Sequence, residues 1–598
     1  MTNDRVLKGL NGKISDVHIV TEAQDEVLPA AAAPRHSDID LNRMAEWSLE
    51  FLIRTPRKNL NYEPVFQLFP YRCPPAPEGS DPVVACDTDA RMDHEWYYMR
   101  DITGSGKGRD VENAFHKRMR GFVDKNGVTW CHPGAYNEGN VNAVYEEKDL
   151  LIHLWGATKI LKSQCEDYAR THNPESNELA RKMMLALKNL MKWDDQGRCW
   201  SPCGNGCLDA NRNPVPNGWN SHPLPIIDPL IVYYQVFGDP EALKFAKAYA
   251  DGMIAGVQPD GMRFGEDGSF EGHSHVTMHS VWGVAHLGVV TGDKRYTDWS
   301  MRVFNFFLKA RGTGTGWFAA APGHPGDETC CVADMMSAAV YIAQAGHPEF
   351  FDYVERYMRN RVSPSQFIVT PAISAHYAEL NKDVSPEKIA FGLSELDKYQ
   401  GGFLGEMGLN GWENSLLNGY VYGGGPELSM IGCCQGSGMR AVYTTWNNTI
   451  AKWPKSALGP AGVYVNMSFN RTSKWGKVFS FVPDSGRLTV MTAVKDNFFL
   501  RPPHWAPHDK IHAFINSKPV AVKWSGDYVA FNADAGQELT ITYPVLGFQQ
   551  EIGTLVNCVP DLHVTFTWLG DMVVGVTPRA ERTAVFTGTP RVLPGVPQ

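Results

Sequence analysis

"HLGVVTGDKRYTDWSMRV", residues 286–303, decides how this chain folds. An apolar stretch ends at Gly292, an aspartate follows, and a second, amphipathic stretch begins. Glycine suits the left-handed position that closes a helix. The same design returns in "YYQVFGDPEALKFAKAY" (233–249) and "YIAQAGHPEFFDYVERY" (341–357), where Pro240 and Pro348 stand at the expected start of the second helix. The closing glycines Gly238, Gly292 and Gly346 are spaced 54 residues apart. A fixed period built from helical hairpins predicts a stacked array of them. Closed on itself the array is an α/α toroid, and left open it is a solenoid. Long Gly- and Pro-rich loops between the hairpins favour the closed form, with a site on the loop-bearing rim.

The texture changes after Trp453. "GVYVNMSFN", "KVFSFVP", "RLTVMTAV", "KIHAFIN", "YVAFNA" and "ELTITYPV" are short alternating runs of β-branched and aromatic residues, separated by turns such as "PDSG" and "ADAG". They predict an antiparallel β-sandwich over residues 454–598. Residues 36–453 form the helical domain, and 1–35 hold a short strand ("ISDVHIV") and a linker ("LPAAAAPRHSD").

Composition narrows the function. Among 598 residues, 20% are charged and the net charge is -9, with no long basic run, so a nucleic-acid partner is not expected. The N-terminal stretch has no apolar signal region and no uncharged apolar run reaches 18 residues, which predicts a cytoplasmic chain without a membrane span. The 12 cysteines then read as thiols, ligands or small buried hydrophobes. Seventeen tryptophans and 22 tyrosines supply sugar-stacking faces as well as core.

Two cysteine pairs carry the chemistry: Cys330–Cys331 in "GDETCCVAD" and Cys433–Cys434 in "IGCCQGSGMR". Glu328, Cys330, Cys433 and Cys434 offer one carboxylate and three thiolates, a set that completes a zinc tetrahedron. The other reading makes each pair a small buried hydrophobe. Cys433 and Cys434 are neighbours and share an ion only if the chain turns there, which Gly432, Gly436 and Gly438 favour. A filled tetrahedron leaves no vacancy for an activated water, so such an ion is structural or one of its ligands reacts. A metal-held thiolate stays deprotonated and nucleophilic and can attack an anomeric carbon.

These motifs resemble the β-L-arabinofuranosidases of glycoside hydrolase family 127. Glu328-Thr329-Cys330 and Cys433-Cys434 match the family's Glu-Thr-Cys and Cys-Cys motifs, and Arg440 matches an arginine seven residues after the first paired cysteine. Gly272-His273, with Thr291-Gly292-Asp293, matches the family's Gly-His and Thr-Gly-Asp. "LRPPHWAP", "AFINSKPV" and "DYVAFNADAGQELTITYP" are similar to its β-domain strands. The resemblance spans residues 40–560 and implies an (α/α)6 barrel with β-sandwich domains. It also implies zinc on Glu328, Cys330, Cys433 and Cys434, and Cys433 as the nucleophile of a retaining, exo-acting furanosidase.

One family feature is missing. The acid/base glutamate precedes the Glu-Thr-Cys motif by about sixteen residues, yet "RGTGTGWFAAAPGHPGDETC" (311–330) has no glutamate before Glu328. Asp327 is the nearest replacement acid, with His324, Glu271 and Glu413 behind it, although each also reads as a solvated loop residue. His273, His275 and Trp317 are assigned to the sugar, and Trp96, Trp219 and Trp412 are further platforms. "CDTDARMDHEWYYMRD" (86–101) is placed in the same cavity for its polar-aromatic character. The expected partner is an oligosaccharide or glycoside, and a homodimer is compatible with the sequence. Two rival readings remain: a polysaccharide lyase or sugar epimerase working through His273 and His279, and an inactive carbohydrate-binding protein that keeps zinc for stability.

Overall fold

The computed structural model describes residues 17–20, 39–65, 67–78, 85–131, 150–216, 221–259, 261, 263–322, 326–405, 429–552 and 564–577. His324, Glu413, Trp219, Trp412 and the linker lie outside them. In chain order the first helices are α1 (Leu41–Arg54), α2 (Ala85–Thr103), α3 (Arg109–Gly121), α4 (Leu154–Thr171) and α5 (Pro174–Leu190). Next come α6 (Ile227–Phe237), α7 (Pro240–Ile254), α8 (Ser274–Thr291), α9 (Lys294–Arg311) and α10 (Thr329–Gln344). The last are α11 (Phe351–Tyr357), α12 (Pro371–Leu380), α13 (Pro386–Tyr399) and α14 (Gly432–Thr449).

The hairpins are built as the repeat predicts. Gly238 and Gly292 adopt φ 68° and close α6 and α8. Asp239 and Asp293 then cap α7 and α9, their carboxylates accepting from the Glu241 and Arg295 amides. Gly346, at φ 111°, ends the third hairpin's first helix ahead of a short turn at Pro348–Phe350 that leads into α11.

The two helices of a hairpin differ in burial. Helix α8 is buried on every side from Ser274 to Gly288, whereas α9 buries one stripe that includes Tyr296, Trp299, Val303 and Phe307. All-round burial marks an inner helix, and a single stripe marks an outer one. The inner helices pack in the order α2, α4, α6, α8, α10, α14, and α14 packs back on α2. The packing order therefore returns to its start, with α1, α5, α7, α9 and α11 against its outside.

Strands follow. They are β1 (Val17–Val20), β2 (Ile450–Trp453), β3 (Gly462–Val465), β4 (Arg471–Thr472), β5 (Gly476–Ser480) and β6 (Arg487–Thr492). Then come β7 (Asp496–Leu500), β8 (His512–Ile515), β9 (Lys518–Val520), β10 (Trp524–Ser525) and β11 (Tyr528–Ala533). The chain continues through β12 (Glu538–Thr542), β13 (Gly547–Ile552), β14 (Val564–Leu569) and β15 (Met572–Thr577). A five-stranded sheet runs β2-β3-β7-β11-β10 and a six-stranded one β4-β5-β6-β12-β8-β9. One apolar cluster joins them, with Val463, Phe498 and Phe531 from the first and Val478, Leu488 and Ile541 from the second. The sheets are not antiparallel throughout, as the sequence suggested. Strand β7 lies parallel to β3, because the intervening β4–β6 belong to the other sheet and the chain returns in the same direction.

The first strand of the five-stranded sheet, β2, starts directly after α14 ends at Thr449. A third sheet, β1-β13-β14-β15, places β1 beside strands from the far part of the chain. Buried ionic contacts lock helices to sheets. Arg501 after β7 binds Asp352 and also Glu355, at 3.0 Å, on α11. Asp571 accepts from the Trp505 indole at 2.8 Å and from Arg356 at 3.2 Å.

Candidate active site

Two helix starts meet at one point. Glu328 is the extended residue ahead of α10, with Cys330 in the first turn. Met430–Ile431 pair with Gln67–Phe69 and deliver α14, whose first turn holds Cys433 and Cys434. The turn the paired cysteines need is thus helical, and Gly438 permits close packing there: a Cβ on it would lie 2.3 Å from the Phe403 ring.

Cys434 Sγ lies 3.8 Å from both Cys433 Sγ and Cys330 Sγ, and Cys330 Sγ lies 3.2 Å from Glu328 Oε2. Cys331 Sγ stands at 3.9 Å from the same carboxylate oxygen. The structure groups the Cys330, Cys433 and Cys434 sulfurs across about a hundred residues of chain, and Glu328 stands beside them through its contact with Cys330. Cys330 and Cys434 are buried, and Cys433 alone of the three cluster thiols is partly exposed.

The thiols differ in acidity. Hydrogen bonds from Cys330 and then Cys434 draw the Cys433 thiol well below its ordinary value, and the Arg91 charge adds to this. Burial pushes Cys330 and Cys434 well above theirs. Cys433 is therefore the most acidic thiol of the trio. For Glu328, burial acts upward but His273, whose Nε2 lies 3.3 Å from Oε2, prevails and brings it down to about 2. Burial likewise opposes protonation of His273, and Glu328 outweighs it, so the His273 pKa is raised.

Behind the cysteines Asp334 acts as a hub. It binds His275 Nδ1 at 2.5 Å, His279 Nδ1 at 3.1 Å and Arg440 at 2.6 Å. Burial would raise the Asp334 carboxyl, but His275, His279 and Arg440 hold it well below the usual carboxylate range. A cavity opens alongside, lined by Arg91, His94 and Glu95 of α2, Lys159 and Lys162 of α4, Asp228, His279, Trp282, and Gly436, Ser437 and Arg440 of α14. Cys433, Gly436, Ser437 and Arg440 follow helical spacing and share one face of α14. The "CDTDARMDHEWYYMRD" stretch thus reaches the cavity as expected.

Three assignments change. Asp327 is 1% exposed and its carboxylate is bound by the Arg361 guanidinium, so it is a structural ion-pair partner and not a proton donor. His275 has both ring nitrogens engaged, Nδ1 by Asp334 and Nε2 by Arg91, which leaves neither for a sugar. Trp317 is 3% exposed and enclosed, so it offers no stacking face; Trp96 is fully buried as well. Glu271 is exposed on its loop. His273 keeps an accessible edge, its side chain 15% exposed beside Glu328. Sequence reasoning missed Asp334. The signal was a lone carboxylate in the apolar run "TCCVADMMSAAVYIAQ", which a buried helix tolerates only with partners.

No family sequence model and no curated protein sequence matches the chain. Solved structures do. A GH127 β-L-arabinofuranosidase from Geobacillus stearothermophilus T6 aligns over 91% of this chain and 86% of its own, at 13% identity and a TM-score of 0.56. A second GH127 β-arabinofuranosidase aligns over 89% and 78% at 12% identity and 0.54, and a protein described as a glycoside hydrolase over 81% and 77% at 13% and 0.53. The chain shares their fold from the helical part through the sheets. No helix among the described residues is long and apolar enough to cross a membrane.

Proposed function

We propose that the chain is a retaining glycoside hydrolase, acting from the end of a glycan on a furanoside or another unusual sugar such as a β-L-arabinofuranoside. The scaffold would be an (α/α)6 toroid over residues 36–453 followed by a β-sandwich over 454–598, in a cytoplasmic protein. The circular packing order of the inner helices and the apolar core shared by two sheets support that reading. So does the likeness in fold to GH127 enzymes, which are arabinofuranosidases.

The observation that carries the proposal is the spacing of the sulfurs. A tetrahedral site with Zn–S arms of about 2.3 Å has ligand–ligand edges of about 3.8 Å. The Cys434–Cys433 and Cys434–Cys330 separations are both 3.8 Å. Three sulfurs at that spacing fit zinc, and Cys330, Cys433 and Cys434 would hold it, with Glu328, which touches Cys330, as the fourth ligand. A bound zinc would keep the thiolates deprotonated and spread their charge.

Cys433 is the nucleophile in this reading. Its sulfur forms a bond to the anomeric carbon as the bond to the aglycone oxygen breaks, and that oxygen takes up a proton from solvent. Water later cleaves the thioglycoside with a second inversion, giving back a proton and the free thiolate. Cys434 and Cys330, fully buried, position it. His273, its pKa raised by Glu328, hydrogen-bonds the sugar.

The test is Cys433→Ala in the purified holoprotein, assayed on a glycoside panel. Hydrolysis should fall by at least about 10³-fold, and further than in Cys434→Ala compared at equal zinc content. Unchanged turnover in Cys433→Ala overturns the nucleophile. A first-formed product of inverted anomeric configuration, followed by NMR, overturns retention.

A further inference from the structure

The cysteine cluster holds one donor more than a tetrahedral ion needs. Among the described residues its ligand atoms fall into two overlapping triads: Cys330, Cys433 and Cys434, and Glu328, Cys330 and Cys331. Within each triad all atoms lie inside 4.8 Å of one another, and Cys330 belongs to both. The proposed zinc set leaves Cys331 over. Its sulfur nevertheless stands 3.9 Å from Glu328 Oε2, and Cys330 Sγ stands 3.2 Å from the same oxygen. With a Zn–O arm of about 2.0 Å and a Zn–S arm of about 2.3 Å, the oxygen–sulfur edge of a tetrahedron is about 3.5 Å. The two separations bracket that edge.

The two triads are anchored differently. Glu328, Cys330 and Cys331 come from a single buried turn at the start of α10, closed by the Cys331 amide donating to the Glu328 carbonyl at 2.9 Å. Thr329 pins that turn, its amide on the Gly405 carbonyl at 2.9 Å and its hydroxyl on the Leu404 carbonyl at 2.6 Å. The turn therefore keeps its donors in place whatever happens on α14. Cys433 arrives from α14 and is the partly exposed member. Cys434 touches both Cys330 and Cys433 at 3.8 Å, so it stays in the set whichever sulfur completes it.

The proposed reaction gives this spare donor a use. While Cys433 carries the sugar its sulfur is a thioether, which has no negative charge, and zinc is held by thiolates. The set would drop to two thiolates and one carboxylate midway through each turnover. We infer that Cys331 is a reserve zinc ligand, which takes the fourth place while Cys433 is bonded to the sugar. Its S–H proton passes to water as the new ligand bond forms and is taken back when hydrolysis frees Cys433. This deepens the proposed function and rests on its zinc and on Cys433 as the nucleophile.

The Cys433→Ala holoprotein mimics the blocked sulfur and tests this without turnover. The probes are zinc content by mass spectrometry after dialysis against a chelator, and the sulfur-to-cobalt absorption of the cobalt(II)-loaded protein, which counts bound thiolates. Wild type and Cys433→Ala should both show three thiolates, and Cys433→Ala should keep at least roughly half its zinc. Cys331→Ala alone should keep its zinc, whereas Cys331→Ala combined with Cys433→Ala should lose at least about tenfold. If the combined variant does not fold, the cobalt spectrum of Cys433→Ala still decides between three thiolates and two. Two thiolates in Cys433→Ala overturn the inference, as does a loss of zinc equal to that of the combined variant. Wild-type protein that binds no zinc sinks the proposed site and the reserve ligand together. Zinc-loaded wild type that hydrolyses glycosides, beside a Cys433→Ala variant with two thiolates, sinks the reserve ligand alone.

Discussion

At the residue scale, single atoms with fixed partners control both acidity and order. His116 on α3 sits 2.6 Å from Asp93 and stacks on Tyr97 at 4.9 Å. Burial opposes its charge, yet Asp93 and Glu112 raise its pKa to about 9. A raised histidine stabilises fully below its unfolded value near 6.5, and that contribution is lost as pH rises through 9. The distance between those two values corresponds to roughly 3 kcal/mol. Urea denaturation should show stability falling between about pH 6.5 and 9, with His116→Gln flattening that slope. At the cluster, Cys434→Ala removes a fully buried ligand candidate, and metal content by mass spectrometry should fall at least about tenfold. A variant that retains its full metal would show that Cys434 is only a packed hydrophobe. The ligand candidates were legible as residue types, because Glu328-Thr329-Cys330 and Cys433-Cys434 stand out in the sequence. Asp327 misled because its partner Arg361 arrives from a helical segment more than thirty residues later, and adjacency to Glu328 says nothing of that contact.

At the scale of elements, glycines and caps were the readable part. Gly238 and Gly292 close their helices where the repeat placed them, since only a residue without a Cβ adopts that backbone at no cost. Packing between elements was not readable. Nothing around Gly438 announces that Phe403 fills the space beside it. Gly438→Ala should cost about 1–3 kcal/mol and lower the melting temperature, because the ring or the helix must shift. Such a shift would also move the first turn of α14, so the variant should lose activity beyond what its folded fraction explains. The parallel pairing of β7 with β3 was likewise hidden: strand patterns give alternation, and direction depends on which sheet the intervening strands join.

For the molecule as a whole, the change from helices to strands was legible in the texture of the chain, although the sheet already starts at Ile450, and the joint between the two parts was not legible. "LRPPHWAP" was read only for its similarity to β-domain strands, whereas its Arg501 is fully buried between Asp352 and Glu355 of α11. Arg501→Met would leave two buried carboxylates without their cation, a loss of about 3–5 kcal/mol. Chemical denaturation should then separate into two transitions, with the sheets melting first. A single unshifted transition would show the joint to be unimportant. The pairing of β1 with β13 sets Val17 opposite Gln550, more than five hundred residues on. During translation that early segment has no place to go until β13 has left the ribosome, so the helical hairpins can form while one sheet stays unfinished. Maturation of this sheet is therefore tied to the late synthesis of β13, and a fragment released before it would display an open backbone edge for chaperones to guard.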